Sequence, residues 1–188
     1  MDASFIRRAI VLAAIALPSW IAWRAARVFQ RPGRSGASPG RELLLFAFVC
    51  YGVILAAATV LPLPISSVSG SGSITLIPGV STYRCFTHKG DTPSEELIFC
   101  IRNLLGNIAL FVPLGLLIPL TVRKLSSIRS VLEVALVVSV SIEAVQFAER
   151  WMGIVRSVDI DDVVLNLLGA GAGYFCYAAV KWMRDLRV

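Results

Sequence analysis

Charge is what this chain has least of. Asp, Glu, Lys and Arg make up 16% of its 188 residues, against about 25% in an average soluble domain. With 56% of the residues hydrophobic and a mean hydropathy of +0.75, there is more apolar surface than a globule of this length can hide. That excludes a soluble enzyme and a disordered chain. There is one histidine, His88, in a loop with Lys89 and Asp91 and nothing at triad spacing around it. The sequence has no G-x-S-x-G, no H-E-x-x-H and no phosphate-cradling glycine loop. It has no C-x-x-C either, so zinc ligation and thioredoxin-type chemistry have no basis. No cofactor is expected, and no internal repeat is visible.

What is present is apolar sequence gathered into runs of membrane-spanning length, about 17–25 residues. Leu43–Leu63, Asn103–Val122, Val131–Ala148 and Ile160–Val180 qualify outright. A fifth run, Ala9–Trp23, reaches that length once Ala3–Ile6 and snorkelling Arg7 and Arg8 are added. Two arginines before an apolar run also fit a signal peptide. No clear A-x-A-like site precedes the arginine-rich stretch that follows, however, and we read the run as a retained helix. The expected fold is all-α, a polytopic membrane helix bundle with about five transmembrane helices, at about 5–23, 43–63, 103–122, 131–148 and 160–180.

Lys and Arg accumulate in cytoplasmic loops. With five spans, the connection 24–42, the third-to-fourth connection and the C-terminus share one face, which carries 11 of the 18 basic residues. The acids divide the other way, with Glu42, Glu133 and Asp185 on that face and the other nine opposite. This predicts an outside N-terminus and a cytoplasmic C-terminus. It also accounts for a pI near 9.5 without nucleic acid as a partner. The run Arg24, Arg27, Arg31, Arg34 reads as a topology signal, with anionic lipid heads as the other reading.

The stretch 31–40 (RPGRSGASPG) has the composition of a flexible linker. The one long loop, 64–97, is expected outside; its ITLIPGVSTY portion suits a segment lying at the interface or pairing briefly as a strand. Cys50 and Cys176 fall within spans, as small apolar residues. Cys85 and Cys100 both fall on the outer side, where an oxidising compartment permits a bridge.

Polar groups inside spans cost about 2.5–3.5 kcal/mol when charged at the helix centre, and by default they suggest function. Asn103 and Asn107 are four apart in the third run. Ser139, Glu143, Gln146 and Arg150 form one stripe in the fourth. Asp159, Asp162, Asn166, Gly169 and Gly173 form another in the fifth. All three stripes grow more polar towards the outer surface. Gly169 and Gly173 make a G-x-x-x-G through which another helix can approach closely. The amides suit interhelical hydrogen bonding. Glu143 is expected to be neutral or paired with Arg150, Arg156 or Arg102. Asp159 or Ser157 suits an N-cap for the fifth span, with acids in its first turn favoured by the helix dipole. Grouped carboxylates can polarise a hydroxyl or hold a divalent cation, and Arg156 can grip a phosphate or carboxylate.

Three separated motifs then come into view: NLLGNIALFVPLG (103–115), SIEAVQ (141–146) and RSVDIDDVVLNLLGAGAGY (156–174). In order and spacing they resemble the VanZ-like family, small bacterial membrane proteins named after an accessory teicoplanin-resistance protein. Thr75–Gly79 (TLIPG) also resembles the family's N-L-I-P-F, with Thr and Gly at its ends. The resemblance implies a single VanZ-like domain over 1–188 in the bacterial cytoplasmic membrane. Its polar positions fall on Asn103, Asn107, Glu143, Gln146, Arg156, Asp159, Asp162 and Asn166. The expected function is an envelope protein whose outward polar pocket binds an amphiphilic or lipid-linked ligand: a membrane lipid, a cell-wall precursor or a lipoglycopeptide. The alternative is a membrane hydrolase or transferase with Glu143 and Asp162 as acid, base or metal ligands.

Overall fold

A computed structural model describes residues 3–29, 38–59, 74–87, 93–151 and 157–186. They fall into two compact units, Met1–Val68 and Ser69–Val188. Among the described residues, five helices are long and apolar enough to cross a membrane. The protein is an all-α, multi-pass membrane protein.

The first unit pairs helix α1 (Ala3–Phe29) with helix α2 (Pro39–Thr59). Arg24, near the end of α1, forms an ion pair with Glu42 in the first turn of α2. Trp20 meets Phe46 with ring centroids 5.8 Å apart. Within the connection 24–42, α1 continues through Arg24 to Phe29 and α2 starts at Pro39.

The second unit starts with a two-residue strand β1 (Ile74–Thr75) and a short helix α3 (Val80–Thr87). Three long helices follow: α4 (Pro93–Thr121), α5 (Ile128–Trp151) and α6 (Ile160–Asp185), the last preceded by strand β2 (Val158–Asp159). Within the loop expected over 64–97, residues 74–87 thus contain a strand and a helix, and α4 begins at Pro93. β1 and β2 pair in parallel, Ile74 with Val158 and Thr75 with Asp159, which is the brief strand that the β-branched residues suggested.

Local chemistry sets the helix ends. Ser127 caps α5, its Oγ accepting from the Ser130 N–H at 3.1 Å. Asp159 caps α6, its carboxylate accepting from the Asp161 N–H at 2.9 Å. α4 runs through Pro113 and Pro119, as spans do when neighbours and side chains satisfy the freed carbonyls.

α4 and α6 share the most extensive contact in the unit, and glycine is the reason. A Cβ on Gly169 would overlap the Ile108 carbonyl, one on Gly173 the Val112 carbonyl, and one on Gly115 the Ala170 carbonyl. Backbone therefore lies on backbone, as a G-x-x-x-G seam requires. The contacts also give direction. Residues 107–112 of α4 meet 162–173 of α6 in ascending order, so these two helices run parallel. Glu143 reaches Asp159, and Ser139 reaches Asn166, so α5 runs antiparallel to α6. Phe111, Val131, Ala135 and Ala170 are fully enclosed in the core.

Candidate functional site

These directions bring the start of α6, the early turns of α4 and the C-terminal half of α5 to one end of the unit. Asp162 sits there, half-buried. Its Oδ1 accepts from Asn107 Nδ2 at 2.5 Å and lies 3.5 Å from Asn103 Nδ2. The i, i+4 spacing of the two amides on α4 is what lets both reach one carboxylate oxygen. The hydrogen bonds are intrahelical in neither partner. They clasp α4 to α6 just above the glycine seam.

Glu143 is 9% exposed, and its Oε2 accepts from the Asp159 N–H at 3.2 Å. It therefore fastens α5 to the residue that caps α6. Further down, Asn166 donates from Nδ2 to Ser139 Oγ at 2.8 Å, and both residues are buried. The Asn166 Oδ1 is enclosed without a hydrogen-bond partner. This pair is interhelical glue of the kind the amides suggested. Ser139→Ala alone strands the second end of the Asn166 amide and is expected to lower stability by about 1–2 kcal/mol. The double change Ser139→Ala with Asn166→Leu removes both polar partners and is expected to recover most of that loss. Thermal unfolding of the wild type and the two variants in detergent reads the difference, and equal melting of the single and double variants would contradict the assignment.

Asp161 was absent from the sequence-based set, yet its carboxylate accepts three hydrogen bonds at this end. It is 5% exposed. Its Oδ1 accepts from the Gly79 N–H at 2.5 Å, and its Oδ2 from the Thr82 N–H and the Thr82 hydroxyl, both at 2.9 Å. α3 has no acid in its own first turn, and Asp161 supplies one from 79 residues away. Gly79 has φ +85°, a left-handed turn that glycine adopts without strain. The missing first-turn acid of α3 and the unexplained middle Asp of D-I-D-D were the available signals, though neither names the other.

Of the remaining predicted residues, Asp159 serves as cap and strand partner, and Gln146 is half-buried on the same helix as Glu143. Arg156, His88 and the side chain of Cys85 lie outside the described residues. Cys100 is disulfide-bonded, while Cys50 and Cys176 carry free thiols. No group of three or more His, Cys, Asp or Glu that could hold a metal ion occurs among the described residues.

The family model described as VanZ/LLP1 matches residues 48–181, well over half of the chain. The chain belongs to the VanZ/LLP1 family. No curated protein and no solved structure matches it. The matched VanZ/LLP1 region takes in the polar residues of this site, from the Gly79 turn to Asn166. It also contains the three glycines of the α4–α6 seam.

Proposed function

We propose that this VanZ/LLP1 protein is a cell-envelope protein of the bacterial cytoplasmic membrane that binds the polar head of an amphiphilic or lipid-linked ligand at its outer leaflet. The observation that carries the reading is the meeting of Asp162 with Asn103 and Asn107, a carboxyl group with two amides at one end of three membrane-spanning helices. Such groups are costly in a bilayer and are retained where they act. The excess of Lys and Arg in the 24–42 and 123–129 connections and at the C-terminus supports a cytoplasmic C-terminus. The Asp162 end then faces outwards, where teicoplanin-type lipoglycopeptides and lipid-linked wall precursors are encountered. A contribution to resistance against such antibiotics is part of this proposal.

Carboxylate and amide oxygens accept hydrogen bonds, and amide nitrogens donate them. A head group rich in hydroxyls or amides suits that mixture. Asp162→Ala is expected to reduce the lipid-linked species retained through purification about tenfold or more, the effect of removing a charged hydrogen-bonding partner. Mass spectrometry of lipid co-purified with the wild-type and variant proteins measures this, and thermal unfolding checks that the variant is folded. A folded Asp162→Ala protein with an unchanged lipid complement would remove the basis of the reading.

A further inference from the structure

We propose that segment 74–87 is a membrane-interface element, with Leu76, Ile77, Tyr83 and Phe86 inserted into the leaflet that surrounds the starts of α4 and α6. These four side chains are each 61–70% exposed. Single exposed apolar residues are ordinary on any protein. Four large ones within eleven positions, joined by a half-exposed Ile74, form the kind of patch that marks a surface for a partner.

Position says which partner. Asp161 in the first turn of α6 holds Gly79 and Thr82, and Thr75 pairs with Asp159. The segment is therefore pinned at three points to the turn where α6 begins, at the water–lipid boundary. An apolar patch fastened at that depth lies level with the lipid around the spans, and lipid is the occupant its position favours. Composition agrees. Residues 74–87 contain no Asp or Glu and one cation, Arg84, so nothing in the segment opposes an anionic leaflet. Tyr83 and Phe86, three apart on α3, share a face, and aromatic rings favour the headgroup level. Arg84 has a stem long enough to keep its guanidinium among the phosphates while its neighbours go deeper. The inference does not depend on the ligand-binding reading above.

The test uses the full chain in phosphatidylcholine–phosphatidylglycerol vesicles. Trp20, Trp23, Trp151 and Trp182 are replaced by Phe, and Tyr83→Trp or Phe86→Trp provides the only reporter. Blue-shifted emission is expected, reduced about twofold or more by lipids brominated on the acyl chain and protected from aqueous acrylamide. Emission at the wavelength of a water-exposed indole, quenched by acrylamide alone, would overturn the proposal. So would blue-shifted emission indifferent to brominated lipid, which would mean that protein covers the patch, whether the first unit or a second copy. Unaltered protein provides the second measurement, through a phospholipid with a diazirine near the top of its acyl chain. Adducts are expected on 74–87 as well as on α4. Adducts confined to the long helices would also overturn the proposal.

Discussion

Gly169→Leu and Gly173→Leu are each expected to abolish the native second unit. Even a single methyl group at either position would overlap a backbone carbonyl oxygen of α4, at Ile108 or Val112. A flexible side chain can swing aside, but a carbonyl held in a helix cannot move without the helix. Overpacking a core costs about 1–3 kcal/mol and occasionally more, and the rigidity of the obstacle places Gly169→Ala and Gly173→Ala at or above the upper end. Leucine leaves the two helices no way to meet. The control lies between them: a Cβ on Gly171 has nothing within 4 Å. Gly171→Ala is expected to keep or raise stability, by up to about 1 kcal/mol from the lower entropy of alanine in a helix. Thermal unfolding in detergent separates these cases. If Gly169→Ala melts with Gly171→Ala, the close approach of α4 and α6 does not exist.

Asp161→Ala is expected to free the segment 79–87 while leaving α6 intact. The substitution removes an acceptor shared by two backbone N–H groups and one hydroxyl. Bonds to a charged group are worth about 1.5–3 kcal/mol each and are not additive here. Their joint loss exceeds what an eight-residue helix holds by itself. α6 keeps its start because the cap belongs to Asp159. Hydrogen exchange should therefore show α3 amides losing protection at least about tenfold while those of α6 hardly change. Asp159→Ala should do the reverse, weakening the first turn of α6 by about 1 kcal/mol. Full protection of α3 in Asp161→Ala would show that another contact carries it.

The parts of this architecture that were legible in advance share one property: each is a repeat along a single helix. Apolar run length predicted the spans. The i, i+4 spacing predicted that Asn103 and Asn107 share a face, and that Gly169 and Gly173 admit a tight neighbour. The stripe through Asp162 and Asn166 predicted a polar seam. Partners were less legible, because periodicity gives the face of a helix and not what it meets. The Glu143 carboxylate meets a backbone N–H, which has no sequence signature at all. Asp161 meets residues 79 and 82 positions away, through a turn set by the φ of Gly79. The helices themselves run past the apolar stretches where charged residues with long stems follow, as at Arg24 and at Lys181–Arg184.

The glycine seam has a mechanical consequence. Where two helices touch through main chain alone, no rotamers lie between them to be rearranged, so the pair has no soft direction in which to part. α4 and α6 must then lean as one body when bilayer thickness changes, since tilting is how a span of fixed length answers a thinner membrane. α5 is held to them through side chains such as Ser139 and Glu143, which can yield and re-form. Any opening of this bundle therefore belongs to α5, swinging like a door on a frame that does not bend.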